Sequence, residues 1–345
     1  MLCAMSLANS MSSIVLIDLK CRSRGWEGNG WDQCGRPIKV NMNYWNEDAV
    51  QRHETHPARD AERSLHTLEH EKLGVVGKSE APIGVFDSGA GGLTILSALR
   101  YELPYENYVY FGDTAHCPYG TRIASEIIEL SVQGSRFLIE QGVKLIVVAC
   151  NTASQAALNT LRATFETVHF VGVVPAVKPA ARATKKGRIG IAATNQATKA
   201  IYLQQLIDEF AGGIQAYAVG CPELVTLVEH GELDGPIVEE TVKQALQPIL
   251  KEDIDVIVLG CTHFPALRPV IERITAHQVQ VIDSGLAVAR RTHYVLDAEG
   301  LIQPENSNHT HAGALQVWCS GDANVFSNVA SKLLGYSVVA HQARC

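Results

Sequence analysis

Two cysteines, Cys150 and Cys261, occupy corresponding places in the chain. Each closes an apolar run, KLIVVA for the first and DVIVLG for the second, and each is read as opening a helix. A side chain just beyond the carboxyl end of a parallel strand belongs in the crevice where open α/β sheets bind their ligands. A helix N-terminus presents unpaired N–H groups and partial positive charge, which favours thiolate over thiol. Two such thiols on opposite sides of a substrate carbon suit inversion: one removes a proton and the other delivers one to the opposite face. The alternative is a pair of small buried cysteines without chemistry; their matching strand-end context favours function.

The residues beside these thiols have the types such a reaction needs. Asp87 and Ser88 begin the turn DSGAGG, whose glycines allow close backbone approach and whose N–H groups can hold a carboxylate. Asp87 is placed to take or hold a proton beside Cys150, or else to cap the following helix. Asn151 and Thr152 follow the first cysteine, and Thr262 and His263 follow the second. They can fix the amino and carboxylate groups of a small amino acid, with helix capping as the alternative for Asn151, Thr152 and Thr262. His263 is placed to tune Cys261. The string DSGAGG is neither a dinucleotide fingerprint nor a phosphate loop, so no nucleotide cofactor is expected. His66-Thr-Leu-Glu-His70 fits a zinc-peptidase pattern, but it lies in a stretch with no core to orient it, and no metal is expected.

The elements that must position these residues are legible from Pro82 onward. IGVF, NYVYF, KLIVVA, FVGVV, RIGIAA, QAYAV, DVIVLG and QVQVI read as strands, with helices expected over 91–101, 123–141, 154–166, 197–210, 237–250 and 266–276. Near-continuous Val/Ile runs alternating with helices predict an α/β fold of parallel sheets with helices on both faces. The chain also repeats itself. IGVFDS (83–88) matches IGIAAT (189–194), Cys117-Pro118 matches Cys221-Pro222, and VVACNT (147–152) matches VLGCTH (258–263), at offsets of about 104–111. Two homologous halves would set two equivalent strand ends across one cleft.

Residues 1–80 are read as a poorly ordered leader, with one helix across 58–72. All four methionines lie in the first 42 residues, so a start at Met42 would leave the globular part whole. The net charge of −7 gives no basic footprint for nucleic acid or an anionic membrane. No apolar run is long enough for a membrane span or signal peptide. Nine cysteines, an odd number, in a core-rich chain point to free thiols and a cytoplasmic setting.

PIGVFDSGAGGLTIL, YFGDTAHCPYGTR, VVACNTAS, GCPELVTLVEHGE and VLGCTHFP resemble the glutamate racemase family of the aspartate/glutamate racemase superfamily, in order and spacing, from about residue 82 to the end. The resemblance implies two pseudo-symmetric α/β domains, 81–174 plus 284–345 and 175–283, with the active site between them. It implies a cofactor-independent interconversion of L- and D-glutamate for peptidoglycan synthesis and cell shape. Cys150 would handle D-glutamate and Cys261 L-glutamate. Asp87 would assist Cys150, and His263 with Glu229 would assist Cys261. Asp87–Ser88, Tyr119–Gly120, Asn151–Thr152 and Thr262–His263 would bind substrate. The family often places Thr where this chain has Ala197, a departure at a position that bears on one carboxylate contact. VVPAVKPAAR resembles members that a nucleotide-linked peptidoglycan precursor activates, and a monomer or homodimer is expected. An aspartate racemase and a non-catalytic two-domain amino-acid-binding protein are the competing readings; the second would not need paired thiols.

Overall fold

A computed structural model describes residues 79–303 and 312–343, together with the two-residue strands at 15–16, 30–31 and 37–38. The chain divides into one unit of Met1–Leu19 with Val76–Cys345 and another of Lys20–Val75. In the latter, Gly30 pairs with Ile38 and Trp31 with Pro37 in a short antiparallel ladder. The helix expected across 58–72 and the His66–His70 string lie outside the described residues.

The larger unit contains two sheets. The first half supplies β1 (Ile83–Asp87), α1 (Leu93–Glu102), β2 (Tyr108–Gly112), α2 (Ala124–Glu140), β3 (Leu145–Val148), α3 (Asn151–Thr164) and β4 (His169–Gly172). The second half supplies α4 (Val177–Ala183), β5 (Arg188–Ala193), α5 (Asn195–Thr198), α6 (Ile201–Phe210), β6 (Gln215–Gly220), α7 (Pro222–Glu229), α8 (Pro236–Leu250), β7 (Val256–Leu259), α9 (Arg268–Ile274) and β8 (Gln280–Ile282). The chain then returns to the first sheet with α10 (Gly285–Ala298), β9 (Leu315–Cys319), α11 (Ala323–Leu334) and β10 (Ala340–Gln342).

The six-stranded sheet is parallel throughout and runs β10-β9-β2-β1-β3-β4. The other runs β6-β5-β7-β8, all parallel, and Val15–Leu16 pairs antiparallel with the outer edge of β6. The shared order β2-β1-β3-β4 and β6-β5-β7-β8 makes the two halves topological copies, as the internal repeat predicts. Of its landmarks, the Cys-Pro pairs differ locally: Cys117–Pro118 is a cis peptide in a loop, whereas Pro222 is the first residue of α7.

Strand side chains alternate between two cores, which is why the strands read as unbroken apolar runs. Ile83, Val85, Tyr108, Tyr110, Leu145 and Val147 join α1, α10 and α11 on one face. Phe86, Val109, Phe111, Ile146 and Val148 join α2 and α3 on the other. The second sheet divides likewise, with Ile257 and Leu259 facing α7, α8 and α9 and Val256 and Val258 facing α4 and α6. Fully covered faces of this kind characterise parallel sheets. Among the described residues, no helix is long and apolar enough to cross a membrane.

Candidate active site

In each sheet the chain leaves the first strand to one side and the third to the other, so a crevice opens between their carboxyl ends. Asp87 and Cys150 lie at that switch point in the first sheet; Thr194 and Cys261 lie at its counterpart in the second.

Cys150 is the N-cap of the fourteen-residue helix α3, and its Sγ accepts the Ala153 N–H at 3.5 Å. The Ser88 hydroxyl lies 3.5 Å from the same sulfur. Asn151 and Thr152 therefore do not cap this helix. Both are buried; the Asn151 Oδ1 has no protein partner, and the Thr152 hydroxyl lies 3.3 Å from that of Thr194. Asp87 and Ser88 do not cap α1 either, because that N-cap is Gly92 with no side-chain bond. Asp87 instead accepts the Gly89 N–H at 2.9 Å and faces the Thr262 hydroxyl at 3.5 Å.

The surroundings of Cys261 correct one expectation. The cysteine is followed by a turn and a 3-10 segment, Phe264–Leu267, and α9 begins only at Arg268. Pro265 within the 3-10 segment and Pro269 in the first turn of α9 lack N–H groups, so no regular helix starts at the thiol. A side chain takes the place of the helix end: His263 Nδ1 lies 3.5 Å from Cys261 Sγ. Its Nε2 meets Glu229 Oε1 at 2.5 Å, and that oxygen also accepts the Ala90 N–H at 2.7 Å. Glu229, the last residue of α7, thus touches the glycine-rich turn of the other half. A second tie runs from the Thr94 hydroxyl to the Thr262 carbonyl at 2.8 Å.

This contact requires glycine. A Cβ on Gly89 would come within 2.1 Å of Glu229 Oε1 and 2.9 Å of Cys117 Sγ. One on Gly91 would lie 2.4 Å from His263 Nδ1. The turn DSGAGG needs glycine at 89 and 91 because the Glu229 and His263 side chains of the opposite half press against its backbone.

Burial sets the protonation of these groups, modified by their partners. It pushes the Cys150 thiol up to about 12; the Asp87 charge adds to this, while the Ala153 N–H and Ser88 hydroxyl oppose it. Burial also raises Asp87, against the pull of His263 and the Gly89 and Gly92 N–H groups. For His263, burial disfavours the imidazolium, yet Cys117, Cys261 and Glu229 together hold it well above its ordinary range. Burial likewise works against the Glu229 carboxylate, but the His263 hydrogen bond and charge and the Ala90 N–H keep it below its ordinary value. His263, which is buried, and Glu229, which is partly buried, form an ion pair beside Cys261.

Two substrate positions implied by the resemblance look different in the structure. The Tyr119 hydroxyl donates to Asp113 Oδ2 at 2.7 Å, and burial together with Asp113 pushes the phenol far above its usual range. Tyr119 is therefore engaged within its own half. Gly120 lies against Thr194, where a Cβ would come 2.8 Å from the Thr194 Cβ. Ala197 is buried, and its N–H donates to Thr194 Oγ1 at 3.2 Å.

Sequence reasoning passed over Thr194 and Cys117 as site residues, although the repeat pointed to both: Thr194 is the counterpart of Ser88, and Cys117 belongs to a repeated Cys-Pro pair. The ligating atoms of Cys117, Glu229 and His263 all lie within 4.8 Å of one another. A Cys/His/Glu cluster thus exists where the sequence showed none, because its members come from three separate segments: the loop after β2, the end of α7 and the turn after β7.

The Asp/Glu/Hydantoin racemase family model matches residues 101–292, which include both cysteines, Glu229 and His263. A glutamate racemase from Herpetosiphon aurantiacus is 43% identical over 250 residues, covering 72% of this chain and 96% of that protein. Among solved structures, a glutamate racemase isoform from Bacillus anthracis aligns with a TM-score of 0.68 at 33% identity, covering 77% of this chain and 98% of the other. The Escherichia coli glutamate racemase, solved with L-glutamate and the activator UDP-MurNAc-ala, aligns with a TM-score of 0.67 at 34% identity, covering 76% and 97%. The fold and these matches define a racemase of the two-domain α/β type. The chain belongs to the glutamate racemase family.

Proposed function

We propose that the chain interconverts L- and D-glutamate by proton transfer at Cα between Cys150 and Cys261, without a cofactor. The observation that carries this reading is the placement of two buried thiols at equivalent strand ends, close enough that charge on Cys261 bears on Cys150. A substrate Cα held between them presents one face to each sulfur. One thiolate removes the proton, and the other thiol delivers a proton from behind.

Burial makes Cys150 favour the thiol. An α-ammonium entering beside it replaces lost solvation with a positive charge, which stabilises the thiolate at the moment it is needed. Asp87 and Ser88 serve Cys150; His263 and Glu229 serve Cys261. The unpartnered Asn151 Oδ1 suits the substrate ammonium, and the Thr152, Thr194 and Thr262 hydroxyls suit its carboxylates. We take 81–174 plus 284–345 and 175–283 as the two domains, working in the cytoplasm to supply D-glutamate for peptidoglycan. The activator named for the Escherichia coli enzyme, together with the VVPAVKPAAR segment, supports activation by a nucleotide-linked precursor.

The experiment is incubation of each glutamate enantiomer with pure full-length protein in D₂O, followed by NMR and polarimetry, with aspartate in parallel. Deuterium at Cα and decay of optical rotation to zero are expected with glutamate. No exchange with glutamate, or faster exchange with aspartate, overturns the reading.

A further inference from the structure

The proton transfer proposed above does not use Cys117, yet its sulfur sits beside the ion pair next to Cys261. The loop after β2 carries it there. A Cβ on Gly89 would touch both its sulfur and the Glu229 carboxylate. We infer that Cys117, Glu229 and His263 form a binding site for a thiophilic divalent cation, Zn²⁺ in the first place.

The donor set is one thiolate, one imidazole and one carboxylate, with ligating atoms within 4.8 Å of one another. Three protein ligands with a fourth position left for water are the usual complement of an open zinc site. Tetrahedral bonds of about 2.1 Å to nitrogen and oxygen would separate those two atoms by about 3.4 Å. The His263 Nε2 to Glu229 Oε1 contact of 2.5 Å must therefore open by about an ångström as the metal replaces the shared proton. That is a side-chain rotation, not a backbone change.

Outer supports are already in place. Metal-bound histidines commonly have a partner at the other ring nitrogen. Here His263 Nδ1 faces Cys261 Sγ at 3.5 Å, and the Glu229 carboxylate is steadied by the Ala90 N–H at 2.7 Å. Cys117 and Glu229 also line a cavity of about 380 Å³ bordered by Val225, His230, Asp322 and Phe326, which gives the ion a path to the cluster. Coordination would release the thiol proton of Cys117 and hold His263 on the metal. The imidazole would then no longer be free to exchange protons beside Cys261.

The test uses metal-free full-length protein titrated with Co²⁺, whose thiolate-to-metal charge-transfer absorption reports a sulfur ligand, and then Zn²⁺ as competitor. One equivalent should bind with a thiolate band in the wild type and in Cys319→Ala. Cys117→Ala should lose the band and bind at least tenfold more weakly; Glu229→Gln should also bind more weakly. In parallel, Zn²⁺ should slow alkylation of Cys117 in the wild-type protein, followed by mass spectrometry, which needs no variant to fold. Absence of a stoichiometric band overturns the proposal. So does a band that survives Cys117→Ala, including one lost only in Cys261→Ala, or alkylation of Cys117 at an unchanged rate. All these readouts are independent of racemase activity, so they stand or fall apart from the proton-transfer reading.

Discussion

The two thiols occupy equivalent strand ends but are served by different devices. Cys150 sits on the N-terminus of α3, where a backbone N–H and the Ser88 hydroxyl point at its sulfur. Cys261 precedes a turn with no such helix, and an imidazole backed by a partly buried carboxylate stands beside it. One thiol is supported by main-chain dipoles, whose strength does not titrate. The other is supported by an ion pair, which does. Similar strand geometry can thus surround the same side chain with two different sets of partners.

The largest effect that can break this comparison is removal of either sulfur. Cys150→Ser and Cys261→Ser should each lose racemisation by roughly 10²–10⁴-fold, the usual range for losing an acid or base. They should differ in exchange: Cys150→Ser still exchanges the α-proton of L-glutamate through Cys261, and Cys261→Ser that of D-glutamate through Cys150. NMR in D₂O of each variant with each enantiomer reads this directly. A Cys150→Ser protein that racemises near the wild-type rate would leave Cys150 a structural residue.

A smaller and one-sided effect is expected at Glu229. Replacing it with Gln removes the charge facing His263, so the histidine pKa followed by NMR should fall. Exchange of L-glutamate should slow by about tenfold or more, while exchange of D-glutamate at the Cys150 face changes less. Equal slowing of both would mean that Glu229 shapes the whole site rather than one side of it.

The third test is alkaline stability. Cys150 is raised by burial from 9.0 to about 12 in the folded state. Below pH 9 folded and unfolded chains both carry the thiol. Between pH 9 and 12 only the unfolded chain ionises, so stability is lost as pH rises through that window. Cys150→Ser lacks this titration, and its denaturation midpoint should decline less steeply than that of the wild type over the same range. The difference amounts to at most a few kcal/mol; identical profiles would show that the thiol is not buried against ionisation.

The smallest effect is expected from deleting residues 1–78. Both sheets and their described cores are built from later residues, and the described link to the first 19 residues is the Val15–Leu16 pairing on β6. The truncated protein should fold and retain most activity, with a melting temperature lower by a few degrees, roughly 1 kcal/mol for a chain of this size. An insoluble product would make the leader structural.

Much of the architecture was legible because covered parallel strands write themselves as apolar runs. Of strands β1–β10, the two missing from the sequence reading are LQVWC, where polar Gln316 interrupts the pattern, and AHQ, an edge strand of three residues with two exposed. The helix expected over 197–210 is broken near Lys199–Ala200, between a single turn capped by Thr194 and α6. Cys261 read as a helix start because the apolar run ends there; Pro265 and Pro269 override that pattern. The Glu229–His263 pair was implied by resemblance alone. Cys117 joins them only through tertiary folding, since nothing local in the sequence brings positions 117, 229 and 263 together.

The repeated strand order provides two copies of one crevice, and if each serves one face of the substrate, as proposed, this has a kinetic consequence. L- and D-glutamate have equal free energies in water, so their equilibrium constant is one. The Haldane relation then makes kcat/KM the same in both directions, however differently the two sulfurs are supported. The unequal surroundings of Cys150 and Cys261 therefore cannot favour one enantiomer at equilibrium. They can only divide the same kcat/KM differently between turnover and binding, so that the direction with the higher kcat also has the higher KM.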